Sequence, residues 1–264
     1  MIEHGLTAWT DAARTGRRVG HLVEAHDSIG STNDRVRELL ARGGAGIAVV
    51  AERQTAGRGR RGRSWESPPG LNLTASVGVE PALAASDSGR LGMAVALAVR
   101  DACSAAAGAP ADLKWPNDVV APDGPKLGGL LLETGVAGDR LTGAVIGFGI
   151  NVNWRRADMP AELAASATSL AEVAGRAVDR IALLAAILGR LEDELDAVES
   201  GRSPRDRYRV ACVTLGGVVT VETSNGTVDG RAIDVDEAGS LVVDGADGLV
   251  AISSGEVVRV RRPS

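Results

Sequence analysis

The stretch best suited to chemistry is a segment rich in arginine and glycine. Residues 57–63 read Gly-Arg-Gly-Arg-Arg-Gly-Arg, so four guanidinium groups fall within seven positions. The glycines would weaken a helix here. A strand would have no apolar side chain to bury. The sequence therefore predicts a loop. Glycine lets backbone N–H groups turn toward a bound group, and arginine adds planar sets of donors that suit carboxylates and phosphates. The pattern therefore indicates a loop that becomes ordered around a small anion.

The same arginines also suit a solvated basic tract or a nucleic-acid patch, and alone they would favour that interpretation. The whole chain is acidic, with a net charge of -5 and a pI of about 5.4, so it lacks the broad positive surface of a nucleic-acid binder. The tract continues directly into Ser64-Trp65 and a Pro-Pro-Gly turn, and it lies between two apolar strand patterns. These features favour a ligand loop.

Lysine is scarce in this chain. Of the 29 lysine and arginine residues, only Lys114 and Lys126 are lysine. A compact ammonium on a flexible stem reaches places that a guanidinium does not fit, so we expect function at this pair, with chance clustering as the alternative. Lys114 opens the motif Lys-Trp-Pro-Asn-Asp, in which Pro116 favours a rigid turn that presents Lys114, Asn117 and Asp118.

Two further motifs carry polar side chains without charge. Ser31 and Thr32 precede Asn33 and a predicted helix, and the simpler interpretation is that one of the hydroxyls caps that helix. The functional interpretation adds that such a helix start holds a polar head group. Asn151 and Asn153 lie at the end of a predicted strand, where their spacing puts both amides on one side. A bulged strand end is the alternative there.

Hydrophobic periodicity predicts the elements that position these motifs. Strands are expected at residues 21–26, 46–54, 71–80, 111–114, 126–133 and 141–149, and helices at 31–42, 88–107, 179–198 and 204–212. Gly128 and Gly129 let another group approach the strand that contains them. From Gly216 onward, short β patterns alternate with turn residues and predict a small all-β barrel of about fifty residues.

Composition bounds the class of protein. Hydrophobic residues make up 44% of the chain but aromatic residues only 2%, so alanine, valine, leucine and isoleucine must build the core. Cys103 and Cys212 form no metal or disulfide pattern and are expected to be buried thiols. Residues 1–20 lack the apolar region of a signal peptide, and no apolar run is long enough to span a bilayer. The sequence thus predicts a cytoplasmic protein.

Five motifs, in order along the chain, resemble those of the biotin–protein ligases. They are Ser31-Thr-Asn33, the loop from Gln54 to Trp65 with its Ser-Pro-Pro-Gly tail, Lys114-Trp-Pro-Asn-Asp118, Lys126-Leu-Gly-Gly-Leu and Gly149-Ile-Asn-Val-Asn153. The resemblance covers residues 21–262. It implies an α+β fold at residues 21–213, with a mixed central β-sheet flanked by helices as in class II synthetases, and an SH3-like β-barrel at residues 214–264. Residues 1–20 would be an N-terminal extension with at most one short helix.

The resemblance implies a two-step reaction. Biotin and ATP, with Mg²⁺, would form biotinoyl-5′-AMP and pyrophosphate, and the acyl group would pass to a lysine of the biotin carboxyl carrier domain of a carboxylase. The first step brings a carboxylate onto an α-phosphate, so it needs concentrated positive charge.

The site residues implied by the resemblance fall into three groups. Biotin contacts would be Ser31, Thr32, Asn33, Gln54, Gly57, Arg58, Gly59, Arg60, Lys126, Gly128 and Gly129. Nucleotide contacts would be Arg60, Arg63, Trp65, Lys114, Asn117, Asp118, Asn151 and Asn153. The catalytic residues would be Lys126, Arg60, Lys114 and Asp118, with Asp118 holding Mg²⁺ or the attacking amine. How Lys114 and Lys126 divide the stabilisation of the transition state stays open.

The chain departs from the family in two respects. Gly128 stands where alanine is common, which leaves more room. The DNA-binding domain of bifunctional members is missing, so neither repression nor DNA binding is expected, and no membrane contact is expected either.

Three competing functions remain compatible with parts of the sequence. A lipoate or octanoate ligase or transferase is the alternative enzyme, and it would need a longer apolar tunnel for its acyl chain. A non-catalytic effector-binding regulator would need a nucleic-acid surface, and a nucleic-acid binder would use the arginine tract. Whether two copies of the chain form a homodimer stays open.

Overall fold

The computed structural model describes residues 6–12, 17–122 and 124–261. Seven strands form the first sheet: Leu22–Ile29 (β1), Ile47–Gln54 (β2), Leu73–Val79 (β3), Asp112–Lys114 (β4), Asp118–Val120 (β5), Lys126–Ala137 (β6) and Arg140–Ile150 (β7). The helices are Leu6–Ala12 (α1), Thr32–Leu40 (α2), Ser88–Ala107 (α3), Ala161–Ala164 (α4), Leu170–Ala174 (α5), Arg180–Glu199 (α6) and Arg205–Ala211 (α7). A second sheet contains Val218–Thr223 (β8), Gly226–Val235 (β9), Leu241–Gly245 (β10), Gly248–Ile252 (β11) and Glu256–Arg261 (β12).

The first sheet is mixed, as predicted. Its order is β1-β2-β3-β7-β6-β5-β4, in which β1 and β2 are parallel and the other neighbours are antiparallel. The α+β fold class is thereby confirmed. The hairpin of β6 and β7 is longer than its sequence pattern predicts, because β6 continues to Ala137 through residues that are largely exposed.

Helices α3 and α6 pack against each other and against the sheet. Every residue from Met93 to Val99 is buried, because small alanines alternate with larger aliphatic side chains and both fit against the strands. Gly108 ends α3 in the left-handed conformation, and the Asp179 carboxylate caps the start of α6 by accepting from the Ile181 amide at 2.8 Å. These helices make the sheet a rigid platform.

The second sheet is antiparallel, in the order β11-β10-β9-β8-β12, and its buried residues join the same hydrophobic cluster as the first sheet. The Trp115 indole Nε1 donates to the Gly239 carbonyl at 3.0 Å and connects the two sheets. Cys103 and Cys212 are buried free thiols, as predicted, and burial raises the pKa of Cys103 to about 12. None of the described helices is long and apolar enough to cross a membrane.

Candidate functional site

A cavity of about 630 Å³ opens between the two sheets. It is bounded by the arginine-glycine loop, the start of α2, the turn between β4 and β5, strands β6 and β7, and the first residues of β12. The sequence-predicted residues that line it are Ser31, Thr32, Asn33, Gln54, Arg58, Gly59, Arg60, Arg63, Trp65, Lys114, Asn117, Asp118, Lys126 and Gly129. Motifs that are far apart in the sequence therefore share one cavity.

One end of the cavity is a network of uncharged side chains. The backbone N–H and Oγ1 of Thr32 donate to Gln54 Oε1 at 2.8 and 3.1 Å, and Thr32 Oγ1 lies 2.7 Å from Ser76 Oγ. Ser76 donates to Asn33 Oδ1 at 2.6 Å, and Asn33 Nδ2 donates to Glu133 at 2.7 Å. Thr32, Asn33 and Ser76 are all buried. We call these four side chains, Thr32, Asn33, Gln54 and Ser76, the neutral network.

Glycines of β7 form part of the cavity floor. A Cβ on Gly147 would stand 2.2 Å from Asn33 Oδ1, and one on Gly149 would stand 2.3 Å from the Trp65 ring. Both positions therefore require glycine if Asn33 and Trp65 are to lie flat against the sheet. A flat floor also leaves room for a ligand to lie along it.

The arginine-glycine loop is held to α2 at its first arginine. Arg58 donates two hydrogen bonds to Asp34, at 2.8 and 2.6 Å. The hydrogen bond from Arg58 is the main reason that the pKa of Asp34 falls to about 2. Both side chains are about two-fifths exposed, so solvent screens this pair.

The later arginines of the loop contact other parts of the chain. Arg60 donates to Asn117 Oδ1 at 2.7 Å and to Ser254 Oγ at 3.3 Å, and Arg63 pairs with Glu256. Burial lowers the pKa of Arg60 from its ordinary value. The loop therefore bridges the first sheet and the second.

The two lysines lie at the charged end of the cavity. Lys126 Nζ is 2.7 Å from Asp118 Oδ1 and 5.9 Å from the centroid of the Trp65 ring. Lys114 faces Asp118 across the register of β4 and β5. Within residues 6–12, 17–122 and 124–261, no salt bridge engages Lys114. The charged end is therefore rich in cations that an anion can still approach.

The chain is similar to known proteins along most of its length. The Biotin/lipoate A/B protein ligase family matches residues 26–151, and the Biotin protein ligase C terminal domain matches residues 214–260. The biotin--[acetyl-CoA-carboxylase] ligase of Mycobacterium tuberculosis is 34% identical over 246 residues, which cover 89% of each chain. The chain belongs to the biotin protein ligase family.

Two other similar proteins agree with this membership. The bifunctional ligase/repressor BirA of Bacillus subtilis is 35% identical over 240 residues, which are 90% of this chain and 73% of the relative. The structure of the Aquifex aeolicus biotin protein ligase in complex with biotin and ATP superposes with a TM-score of 0.73 and 30% identity, over 91% of this chain and 99% of the other. The chain is thus a ligase, and it has the same fold as the Aquifex aeolicus protein.

Four of the residues expected in the site of this biotin protein ligase do not line the cavity. Asn151 donates to the Thr168 carbonyl at 3.1 Å, and the Asn153 amide both donates to and accepts from the Val178 backbone at 2.9 Å. Both side chains therefore bond to the backbone of residues 168–178, and their contact with a nucleotide stays a prediction. Gly57 packs inside the loop against Trp65, where a Cβ would lie 2.5 Å from the Trp65 carbonyl oxygen, and Gly128 faces Ile150 on the other side of the sheet.

The cavity also contains residues that the sequence interpretation did not single out. Thr74 and Ser76 lie at alternate positions of β3 and share its cavity face. Two hydroxyls at alternate positions in an apolar strand are a readable signal of a polar surface. Gly255 and Glu256 come from the second sheet, and no local pattern indicated their contact with the loop.

Proposed function

We propose that the chain is an ATP-dependent biotin–protein ligase that works through biotinoyl-5′-AMP. The observation that carries this proposal is that the neutral network and the cations of Arg60, Lys114 and Lys126 share one cavity. A ligand with an uncharged hydrogen-bonding ring at one end and a carboxylate at the other matches both ends. Biotin has this form.

The neutral network suits the ureido ring of biotin. Such a ring has two N–H donors and one carbonyl acceptor, and the hydroxyls and amides of Thr32, Asn33 and Gln54 supply both kinds of partner. These groups are already held by one another, so they are oriented before a ligand arrives. Ser31, which caps α2, adds another hydroxyl at the same end. The valeryl chain would then run over the glycine floor toward Lys126.

The charged end suits the formation of an acyl-adenylate. In the first step a carboxylate oxygen of biotin attacks the α-phosphorus of ATP, and the bond to the β-phosphate oxygen breaks so that pyrophosphate leaves. Two anions must meet for this step, and cations held in place lower the energy of the charge that develops. Lys126 would lie by the carboxylate and α-phosphate, Arg60 and Arg63 by the phosphates, and Lys114 by the leaving group. Trp65 would pack on the adenine.

Magnesium would be bound mainly through the phosphates. Two carboxylates, Asp118 and Glu256, line the cavity, and each pairs with a cation of this chain. No group of three or more potential ligands for a metal ion occurs among the described residues. This donor set fits an ion that keeps most of its shell from phosphate oxygens and water, with Asp118 as the one protein ligand. The ion would neutralise charge on the departing pyrophosphate.

The second step would transfer the acyl group to a carrier. The ε-amine of a lysine of a biotin carboxyl carrier domain attacks the acyl carbon, the bond to the phosphate oxygen breaks, AMP leaves and the amine loses a proton. The Asp118 carboxylate lies beside Lys126, so it would orient the incoming amine and accept its hydrogen bond.

The net charge of -5 makes a nucleic acid a poorer partner for this chain than a carrier protein.

The first test is mass analysis of the purified protein. We expect biotinoyl-5′-AMP after incubation with biotin and ATP, and one mole of pyrophosphate per mole of adenylate. The same incubation with lipoate or octanoate should release pyrophosphate at a background rate. Equal release with lipoate would favour a lipoate ligase, and no adenylate with any of the acids would contradict the proposal.

A further inference from the structure

Arg180 is a buried charge that the proposed chemistry does not use. It lies at the start of α6, is 4% exposed and does not line the cavity. Its guanidinium donates two hydrogen bonds to Glu52, with Nη1 2.8 Å from Oε2 and Nη2 3.1 Å from Oε1. Removing two charges from water offsets most of their attraction, so a buried pair contributes little net stability. Its place in the fold needs another explanation.

The pair joins the two ends of the arginine-glycine loop. Glu52 lies in β2 just before the loop begins, and its Oε2 also accepts the Gly70 amide, where the loop ends, at 2.8 Å. Arg180 Nη1 donates in addition to the carbonyl of Asn72 at 3.0 Å. The pair therefore fixes the distance and the orientation between the last residues before the loop and the first residues after it.

Trp9 of α1 completes this arrangement. Its Nε1 donates to Glu52 Oε1 at 3.1 Å, and its ring lies 5.2 Å from Arg180 Cζ in a cation–π contact. Trp9 is 1% exposed, so α1 helps to cover the ion pair. Burial acts to raise the pKa of Glu52, but the hydrogen bonds from Arg180 and Gly70 outweigh it and hold the pKa below its ordinary value.

We propose that Trp9, Glu52 and Arg180 form a positioning unit, here called the base clamp, which holds the arginine-glycine loop in its ligand-binding conformation. The loop's own arginines make pairs that are largely exposed, and such pairs are individually weak. The fixed ends therefore contribute order that these exposed pairs cannot supply, in addition to the contacts of Arg60 with Asn117 and Ser254. The consequence for activity, slower loss of the adenylate, rests on the function proposed above.

Hydrogen exchange in the free, full-length protein tests the base clamp without any ligand. Glu52→Gln removes the charge that Arg180 requires, and we expect the amides of residues 55–69 to exchange about fivefold faster or more, because a larger share of molecules opens the loop. The amides of α3 should be unchanged. Faster exchange throughout α3 and the loop would show a general loss of stability and overturn the positioning role.

The opposite end of α6 offers a matched control. Glu199 accepts two hydrogen bonds from Arg18, at 2.7 and 2.9 Å, and one from the Ala82 amide at 2.9 Å. This is the same arrangement of one carboxylate, one arginine and one backbone amide, but it does not touch the loop. Glu199→Gln should leave exchange at residues 55–69 unchanged. An equal effect of Glu199→Gln and Glu52→Gln on the loop would overturn the proposal.

Trp9→Phe keeps the inference testable if Glu52→Gln does not fold. This substitution retains a ring over Arg180 and removes only the Nε1 hydrogen bond, so we expect exchange of residues 55–69 to rise about twofold to threefold. Dissociation of biotinoyl-5′-AMP should accelerate by a similar factor while the rate of its formation changes little. Unchanged loop exchange in Trp9→Phe overturns the base clamp. If the wild-type protein forms no adenylate, the proposed function fails while the exchange result still decides on the clamp.

Discussion

The two ends of the cavity are built in different ways. At the neutral end, Thr32, Asn33 and Ser76 are buried and bonded to one another and to Gln54. At the charged end, Arg63 is two-thirds exposed and pairs with a carboxylate from the other sheet. Breaking a buried hydrogen-bond network is costly, whereas an exposed ion pair contributes about 0–1 kcal/mol and exchanges partners readily.

This difference indicates two modes of binding in one cavity. The neutral end is prepared before a ligand arrives, so it can select by shape and by hydrogen bonding. At the charged end, Arg63 and Lys126 pair with the carboxylates of Glu256 and Asp118, which substrate phosphates can replace, so this end can reorganise around ATP.

The largest effect is expected at Lys126. In Lys126→Ala the charged end loses the ammonium nearest Asp118, and we expect adenylate formation to slow by about 100- to 1,000-fold, as when a group that stabilises developing charge is removed. Biotin affinity of the free enzyme should change much less. Single-turnover release of pyrophosphate measures the first quantity and calorimetric titration the second. Normal turnover in Lys126→Ala would remove this residue from the catalytic role.

Substitution of Arg60 should affect how long the enzyme retains the adenylate more than how fast it forms the adenylate. Arg60→Ala removes contacts to Asn117 and Ser254 that close the loop over the cavity, so we expect the adenylate to dissociate about 10- to 100-fold faster, the range for a lost charged hydrogen bond. Arg60→Lys keeps the charge but not the planar geometry and should give an intermediate rate. A dissociation rate equal to that of the wild type would show that the loop closes without this arginine.

Most of the fold could be predicted from the sequence because its signals are local. The helix expected at residues 88–107 is α3, with the same bounds, since its apolar period lies within the segment and the glycine that ends it, Gly108, follows directly. Helix α6 and the strands β2, β3 and β7 follow their patterns within a few residues. The loop motif was readable because the glycines and arginines are adjacent.

Other features of the site could not be predicted from the sequence because they depend on residues that are far apart in the chain. Glu256 meets Arg63 only through the packing of the second sheet on the first. Trp9 and Arg180 meet Glu52 across three separate elements. The spacing of Asn151 and Asn153 predicts that the amides share a side of the chain, but spacing alone does not say whether that side faces the cavity or the segment before α6.

At the neutral end, a single hydroxyl should change both stability and affinity. Thr32→Val removes the hydroxyl that contacts Gln54 and Ser76, while Gln54 keeps the Thr32 backbone N–H and Ser76 keeps Asn33, so we expect the free energy of unfolding to fall by about 0.5–1.5 kcal/mol. Biotin affinity should fall by about tenfold, because one contact is lost and its neighbours lose their orientation. Thr32→Ser keeps the hydroxyl and serves as the control. Full stability in Thr32→Val would contradict the view of this end as a prepared network.

Thr74 should separate affinity from stability. It lines the cavity and is 5% exposed, and Thr74 Oγ1 is one of the few buried side-chain atoms in the described residues without a hydrogen-bond partner. An unpaired buried hydroxyl is unfavourable in the free protein, so Thr74→Val should leave the melting temperature unchanged or raise it. If a ligand supplies the partner, biotin or adenylate affinity falls by about threefold to tenfold in the same variant. A lower melting temperature with unchanged affinity would assign the hydroxyl to the fold alone.

The smallest effect concerns pH and the pair of Arg58 with Asp34. Because the folded-state pKa of Asp34 is about 2, below its ordinary 3.8, the stabilisation is present above the ordinary value and is lost as the pH falls through the lower one. Because both side chains are exposed, the stabilisation from this ion pair is limited to about 0.5 kcal/mol. Between pH 5 and pH 2, exchange of the loop amides, corrected for its intrinsic pH dependence, should therefore increase slightly more in the wild type than in Asp34→Asn, which lacks the charge at every pH. An identical pH profile in the two proteins would mean that the loop is held at its ends and by the second sheet, without help from α2.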